Sequence, residues 1–211
     1  MKPLSDCRLY AFVDTAYLRG RGAATVAQQL CDGGADLIQL RAKHSSAEEV
    51  TRLAEAILPI TRRAGLGLVV NDHPEIAQRV GAELCHLGQE DFFGAGHTQV
   101  RRISTTNHQL KIGLSTHAPD QALRALVAEP EYIAIGPVYA TATKPQAAPV
   151  TLEYVRWAAT NVSIPWFAIG GINLSTLDDV LAAGARRICV VSAILNAQDI
   201  AATTRLFRDR L

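Results

Sequence analysis

Short apolar runs alternate with longer amphipathic runs along the chain. The short runs are rich in branched side chains and show no polar alternation, which is typical of strands buried on both faces of a parallel sheet. They predict eight strands, at residues 9–13, 37–40, 66–70, 83–87, 111–114, 132–135, 166–169 and 188–191.

Helical spacing fills the segments between these strands. Ser46 followed by Glu49 has the form of a capping box, and Pro74 and Pro119 suit the first turn of a helix, where proline withholds no needed N–H. The predicted helices cover residues 24–31, 47–62, 74–80, 98–105, 119–127, 151–160, 174–183 and 197–210.

The order of these elements predicts the fold class, α/β. Eight strand–helix units without a Pro-, Gly- or Ser-rich linker indicate a single TIM (β/α)8 barrel of parallel strands, with one catalytic domain over residues 1–211. The chain is short for this fold, which usually has about 250 residues. A doubly wound open sheet is the alternative, and eight sequential strands disfavour it.

Composition and charge exclude several classes of protein. The chain is 48% hydrophobic and carries 21 basic against 20 acidic residues, so a disordered protein, a nucleic-acid binder and a membrane-surface protein are all disfavoured. The N-terminus lacks the apolar core of a signal peptide, and no segment has the ~20 apolar residues that span a bilayer. The four cysteines form no CxxC motif. We expect a soluble, reduced, cytoplasmic protein without nucleic-acid or membrane partners.

Candidate chemistry follows the predicted strands, because active residues of such barrels lie at the carboxyl ends of strands. Asp72 and Asp91 follow neighbouring strands, which lie ~4.8 Å apart, so their carboxylates could share one divalent cation. With few protein ligands and a charged substrate nearby, that cation would be Mg²⁺. The alternative is a pair of helix-capping or surface acids.

A second cluster is cationic and comprises Arg41, Lys43 and Lys144. Alternation along the strand places Gln39, Arg41 and Lys43 on one face, which could be the barrel interior. Charges there are costly unless they meet an anion, so together with the paired acids they suggest a bound diphosphate. A solvated strand end is the alternative.

A third cluster follows the last two strands, where barrels of this kind commonly bind phosphate. Gly170, Gly171 and Ser192 could offer backbone N–H groups to a monophosphate, although two glycines also suit a plain tight turn. No Ser-His-Asp set is evident. His86 and His117 could act as acid or base, or could be structural hydrogen-bonding histidines.

These residues stand in motifs that resemble thiamine-phosphate synthase (thiamine-phosphate pyrophosphorylase), in order over nearly the whole chain. The resemblance is specific as a set, whereas single pieces occur in other phosphate-binding barrels. The motifs are QLRAK at 39–43, VND at 70–72, HLGQED at 86–91, GLSTH at 113–117, GP at 136–137, TATKP at 141–145, AIGGI at 168–172 and VVSAI at 190–194.

The resemblance implies a transferase of thiamine biosynthesis. Such an enzyme joins an aminopyrimidine methyl diphosphate to a thiazole phosphate by dissociative substitution, with release of diphosphate. It implies Mg²⁺ on Asp72 and Asp91, with Lys144, Ser115 and Arg41 as catalytic residues. The implied substrate contacts are Arg41, Lys43, Asn71 and Lys144 for the diphosphate, Gln39 and Ser115 for the pyrimidine, and Thr141, Thr143, Gly171, Val191 and Ser192 for the thiazole phosphate.

Three positions depart from the family pattern without removing an implied ligand. Ala42, His73 and Ala142 replace the usual Glu, Arg and Pro, and of these His73 reduces the positive charge beside the implied metal site. The nearest rival function is a thiazole tautomerase that uses His117. A non-catalytic phosphometabolite-binding barrel and a phosphosugar isomerase are further alternatives. The chain could also form a homo-oligomer.

Overall fold

Eight parallel strands close into a barrel in chain order, with β1 paired to both β2 and β8. The computed structural model describes residues 1–103, 110–141 and 148–211. The closed ring of eight parallel strands confirms the predicted TIM barrel. The single catalytic domain over residues 1–211 stays a prediction. The strands are β1 Leu9–Asp14, β2 Leu37–Arg41, β3 Gly67–Asn71, β4 Leu84–Leu87, β5 Lys111–Thr116, β6 Tyr132–Ile135, β7 Trp166–Ile169 and β8 Ile188–Val190.

The strands are buried on both faces, as their continuous apolar sequences predict. All residues of β1, β3, β4, β6 and β8 are buried. Parallel pairing in register brings the strand ends to one rim, so that Asp14 at the end of β1 stands beside Arg41 at the end of β2. The rim is therefore where polar side chains of different strands meet.

Helices cover the barrel and begin mostly where the sequence signals predict. The Ser46 hydroxyl accepts a hydrogen bond from the backbone N–H of Glu49, and Pro74 and Pro119 each occupy the first turn of a helix. No helix in the described part of the chain is long and apolar enough to cross a membrane. The helices are α1 Ala23–Asp32, α2 Ala47–Arg63, α3 Pro74–Val80, α4 Pro119–Val127, α5 Thr151–Asn161, α6 Leu177–Ala182, α7 Ser192–Leu195 and α8 Ile200–Arg208.

The helix predicted at residues 98–105 is wrong over its described part. The chain after β4 forms a π-helix at Glu90–Gly94 and a 3₁₀ turn at Val100–Arg102, and residues 104 and 105 lie outside the described residues. The backbone N–H of Val100 bonds to the carbonyl of Ala128 and not to a helical partner. The β-branched residues of this segment also favour helix weakly.

Two predicted helices begin later than expected because side chains hold their first residues in turns. The Asn173 carboxamide oxygen accepts bonds from the backbone N–H groups of Ser175 and Thr176, and α6 starts only at Leu177. Asp199 caps α8 by accepting from the backbone N–H of Ala202. The short helix α7, directly after β8, was not predicted.

Gly113 on β5 offers a test of how tightly the barrel interior is packed. A Cβ atom at this position would lie 2.1 Å from Cζ of Tyr132, so we expect Gly113→Ala to reduce the free energy of unfolding by about 1–3 kcal/mol. Gly94→Ala is the control, because its Cβ would meet its nearest neighbour at 3.7 Å. Urea unfolding of both variants measures the difference, and equal midpoints would contradict the packing described.

Candidate active site

One cavity opens at the carboxyl end of the barrel, and side chains from several strands and their following loops line it. The predicted site residues that fall within the described ranges all line this cavity. Their roles toward a substrate or a metal stay predictions. Thr143 and Lys144 lie outside the described residues. The predicted residues on the cavity are Gln39, Arg41, Lys43, Asn71, Asp72, Asp91, Ser115, Thr141, Gly171, Val191 and Ser192.

The Arg41 guanidinium meets an anion that belongs to the protein itself. Its Nη1 lies 2.7 Å from Oδ2 of Asp14, whose side chain is only 1% exposed. The other carboxylate oxygen of Asp14 accepts from the backbone N–H of Ala16. The pairing of Asp14 with Arg41 was not predicted from the sequence, because Asp14 stands there only as the polar residue after an apolar run. The pair holds Arg41 at the cavity wall and leaves its remaining N–H donors for a ligand.

Lys43 and two carboxylates form a second charged group at the rim. The Nζ atom of Lys43 lies 2.5 Å from Oδ2 of Asp72. Burial raises the pKa of Asp72, the ion pair with Lys43 lowers it, and the nearby Asp91 carboxylate raises it, with a net shift above the ordinary value. The carboxylates of Asp72 and Asp91 therefore lie close together at the rim. The Lys43 ammonium is the one positive charge that the structure pairs with Asp72 in the described part of the chain.

The backbone around these acids is shaped to bring them together. Asp72 has a left-handed φ of 65°, a conformation that Asp and Asn adopt more readily than other non-glycine residues. Its backbone N–H donates to the carbonyl of His86 on the neighbouring strand. Asp91 stands in the π-helix after β4, and a Cβ on Gly88 would lie 2.7 Å from its Oδ2. Glycine at position 88 thus leaves room for this carboxylate.

The inner end of the cavity carries two neutral polar groups, Gln39 and Ser115. The Nε2 atom of Gln39 donates to the hydroxyl of Tyr10 at 2.5 Å. The Oγ atom of Ser115 lies 2.8 Å from Nε2 of His86, so His86 is a hydrogen-bonding histidine within the barrel. His117, the other candidate acid or base, also lines the cavity, and its Nδ1 bonds to the carbonyl of Gly136.

The two glycines after β7 are required by packing as well as by conformation. Gly170 and Gly171 have φ of 103° and 67°, which side chains rarely adopt. A Cβ on Gly170 would lie 2.4 Å from Cβ of Pro137, and one on Gly171 would lie 2.6 Å from Cβ of Tyr139. The loop after β6 therefore lies directly against this turn. The backbone bends at these two glycines, and a phosphate role for the same residues stays a prediction.

The last wall of the cavity is the start of α7. Val191 precedes this helix and Ser192 begins it, and both residues line the cavity. The first N–H groups of a helix lack partners within it and carry partial positive charge, so they suit an anion. This position lies beside Gly171 on the same cavity.

The described residues offer few metal ligands. Within 1–103, 110–141 and 148–211, no group of three or more His, Cys, Asp or Glu side chains is placed to hold a metal ion. Asp72 and Asp91 supply two carboxylates. That donor set is poor for zinc, which takes three or four protein ligands, and it suits Mg²⁺, which keeps waters and substrate phosphates in its shell.

A closed parallel barrel with paired acids, cations and a helix start on one cavity defines an enzyme of the phosphate-handling barrel class. A family profile described as thiamine monophosphate synthase matches residues 9–194. A thiamine-phosphate synthase of Thermus thermophilus is 47% identical over 180 residues, covering 85% of this chain and 84% of that protein. One of Chloroflexus aurantiacus is 40% identical over 204 residues, covering 96% and 92%. The chain belongs to the thiamine monophosphate synthase family.

One solved structure agrees with this assignment, and a second shares the fold. Thiamine phosphate pyrophosphorylase from Pyrococcus furiosus superposes with a TM-score of 0.85 at 26% identity, covering 99% of this chain and 96% of that one. Tryptophan synthase of Mycobacterium tuberculosis shares the fold alone, with a TM-score of 0.71 at 15% identity. The family resemblance predicted from the motifs, and with it a transferase of the thiamine-phosphate synthase type, is confirmed.

The Asp14–Arg41 pair predicts a stability effect at a position that only the structure reveals. Asp14→Asn removes the charge that compensates Arg41, whose side chain is 14% exposed, and we expect it to lower the free energy of unfolding by about 2–3 kcal/mol. Glu49→Gln is the control, because it breaks an exposed pair with Arg52 and should leave the urea midpoint unchanged. Equal midpoint shifts in the two variants would argue against a structural role for Asp14.

Proposed function

We propose that this chain couples an aminopyrimidine methyl diphosphate to a thiazole phosphate and releases thiamine monophosphate and diphosphate. Its partners are then small phosphorylated molecules, and a cytoplasmic location and a possible homo-oligomer stay predictions. The observation that carries the proposal is the pairing of Asp72 and Asp91 beside Lys43, on the cavity of a chain that belongs to this family.

Mg²⁺ fits the residues at the rim. Burial first, and then the charge of Asp91, raise the pKa of Asp72 and disfavour its ionised form, which a divalent cation bound to the two carboxylates would stabilise. Asp72 and Asp91 would hold the ion, and substrate oxygens and water would complete its shell. When bound, Mg²⁺ would supply charge neutralisation on the diphosphate leaving group.

The diphosphate would lie among the cationic groups near these acids. Arg41 is held in place by Asp14, and Lys43 lies against Asp72, so both cations are positioned before substrate arrives. Asn71 ends β3 on the same cavity and would donate its amide N–H to a phosphate oxygen. Lys144 is assigned to the same anion from the family motif.

The two rings would occupy opposite walls. Gln39 and Ser115 would contact the pyrimidine at the inner end of the cavity. Support for this assignment is that both side chains are buried and present polar atoms to the cavity. The thiazole phosphate would lie at the start of α7 and the turn after β7. Its proposed contacts are Thr141, Thr143, Gly171, Val191 and Ser192, of which Thr143 rests on the family motif alone.

This arrangement suits a dissociative substitution that needs no general base. The bond between the pyrimidine methylene carbon and the diphosphate oxygen breaks, and the electron pair leaves on the diphosphate. The thiazole nitrogen then donates its pair to the resulting pyrimidine methyl cation. The protein's residues hold the two rings at reacting distance, and the apolar walls at Phe12 and Ile169 help to keep water from the cation.

Activity is tested by mixing the protein, both substrates and Mg²⁺, and measuring thiamine monophosphate together with released diphosphate. We expect equal amounts of the two products, and no product when EDTA removes the metal. Thiazole tautomerisation without coupling, under saturating substrate, would replace the proposal with the rival that uses His117.

Asp72→Asn tests the metal assignment, and asparagine is chosen because it tolerates the left-handed backbone of this position. Loss of one charged ligand should lower the coupling rate about 100-fold or more. The raised pKa of Asp72 means that its ionised form destabilises the folded protein above that pKa, so without Mg²⁺ the variant should melt no lower than wild type.

The matched control is Glu90→Gln. Glu90 is an exposed acid next to Asp91 in sequence, and unlike Asp91 it does not line the cavity. The variant should couple at the wild-type rate, and Mg²⁺ should raise its melting temperature as it does for the wild type but not for Asp72→Asn. Near wild-type coupling by Asp72→Asn would remove Asp72 from the metal site.

A further inference from the structure

Five side chains form an unbroken hydrogen-bonded chain across the inner end of the cavity. We call this set the floor chain. It runs from Gln39 on β2 through Tyr10 on β1, Tyr132 on β6 and His86 on β4 to Ser115 on β5. The successive distances are 2.5 Å, 3.0 Å, 3.0 Å and 2.8 Å. All five side chains are buried.

Ring contacts fix the middle of the floor chain. The imidazole of His86 stacks on the ring of Tyr132, with centroids 5.6 Å apart and planes 22° apart. Tyr10 meets Tyr132 edge-on, and Phe167 packs edge-on against both tyrosines. The rings cannot turn away from one another without opening the barrel core, so the hydrogen bonds have a fixed geometry.

The floor chain has a direction, because each hydroxyl has one proton. The Nε2 of Gln39 donates to the Tyr10 oxygen. The Tyr132 oxygen is the acceptor next to Tyr10 in the floor chain, so we assign the Tyr10 hydroxyl as the donor of that bond. With its oxygen accepting from Tyr10, the Tyr132 hydroxyl is assigned as the donor to Nδ1 of His86. Burial raises the pKa of both tyrosines well above the ordinary value, so neither loses its proton at neutral pH.

The direction fixes the tautomer of His86 and the hydroxyl of Ser115. An Nδ1 that accepts from Tyr132 leaves the neutral imidazole with its proton on Nε2, which donates to Oγ of Ser115. Ser115 then turns its own proton toward the cavity. At the other end, the amide of Gln39 that donates to Tyr10 leaves its oxygen Oε1 to face the cavity.

We propose that the floor chain sets the hydrogen-bonding polarity of the ring subsite, with an acceptor at Gln39 Oε1 and a donor at Ser115 Oγ. The subsite would therefore select a heteroaromatic ring that carries an exocyclic amino group and an unprotonated ring nitrogen. Tyr10, Tyr132 and His86 are positioning residues that act through these two ends. This inference rests on the proposed function, because it concerns the ring of the same substrate.

The two ends are coupled, and this coupling makes the selection sharper than two independent contacts. Turning the Gln39 amide to present N–H to a ligand would place its oxygen against Tyr10. Both tyrosine hydroxyls would then have to donate in the opposite direction, and the His86 proton would have to lie on Nδ1. Ser115 would donate to Nε2 of His86 and not toward the cavity. A ring with an exocyclic oxo group in place of the amino group thus meets an acceptor at Gln39 or requires reversal of the whole floor chain.

The first test measures the His86 tautomer in the wild-type protein without substrate. Nitrogen NMR of ¹⁵N-histidine-labelled protein distinguishes a protonated from an unprotonated ring nitrogen. We expect a proton on Nε2 and none on Nδ1. A proton on Nδ1 would overturn the inference and leave the proposed coupling reaction untouched, since that reaction is measured by its products.

The second test breaks the floor chain in its middle with Tyr132→Phe. The matched control is Tyr154→Phe, which removes another buried hydroxyl, one that donates to Oγ1 of Thr116 outside the floor chain. For Tyr132→Phe we expect KM for the aminopyrimidine diphosphate to rise about tenfold, with a smaller change in kcat and in KM for the thiazole phosphate.

The decisive readout is discrimination between the amino substrate and its oxo analogue, as the ratio of kcat/KM values or, without turnover, of dissociation constants. Tyr132→Phe should reduce this ratio about tenfold, whereas Tyr154→Phe should keep the wild-type ratio. An unchanged ratio in a folded Tyr132→Phe protein would overturn the inference. If that variant does not fold, the His86 tautomer in the wild type decides alone.

Discussion

Closure of the sheet between β1 and β8 is the constraint on which the candidate site depends. A closed parallel barrel has one rim at which all eight strands end, and its alternating residues point to a common interior. Residues far apart in sequence therefore meet inside the barrel, as Tyr10 on β1 meets Tyr132 on β6. An open sheet would spread the same strand ends along an edge and would not assemble a floor chain.

Charge balance at the rim follows from the parallel pairing of neighbouring strands. Arg41 is neutralised by Asp14 and Lys43 lies against Asp72, so the protein compensates both of these cations before any substrate binds. The exception is the pair Asp72 and Asp91, whose carboxylates lie close together and repel each other in the folded protein. Such local conflict is typical of functional sites, where stability is sacrificed for binding. The near-neutral net charge of the chain hides this segregation.

The sequence predicted the barrel well because doubly buried strands leave continuous apolar runs, and it predicted rim residues because these follow the runs. It could not predict what depends on the register between strands. Asp14 has a site role only because β1 pairs in register with β2. Tyr10 and Tyr132 read as ordinary strand residues, and His86 reads only as a possible acid or base or a structural histidine. Their hydrogen bonds join positions up to 122 residues apart. The helix expected after β4 failed because local periodicity cannot foresee a backbone bond from Val100 to Ala128.

Joint binding of a divalent metal and a diphosphate is the role that we propose for the rim. Its most direct test is a crystal structure grown with diphosphate and with Mn²⁺ in place of Mg²⁺, in which anomalous scattering locates the metal. We expect a peak bonded to carboxylate oxygens of both Asp72 and Asp91, with diphosphate on the side of Arg41 and Lys43. A metal bound elsewhere, or diphosphate bound at this rim with no metal at the two carboxylates, would contradict it.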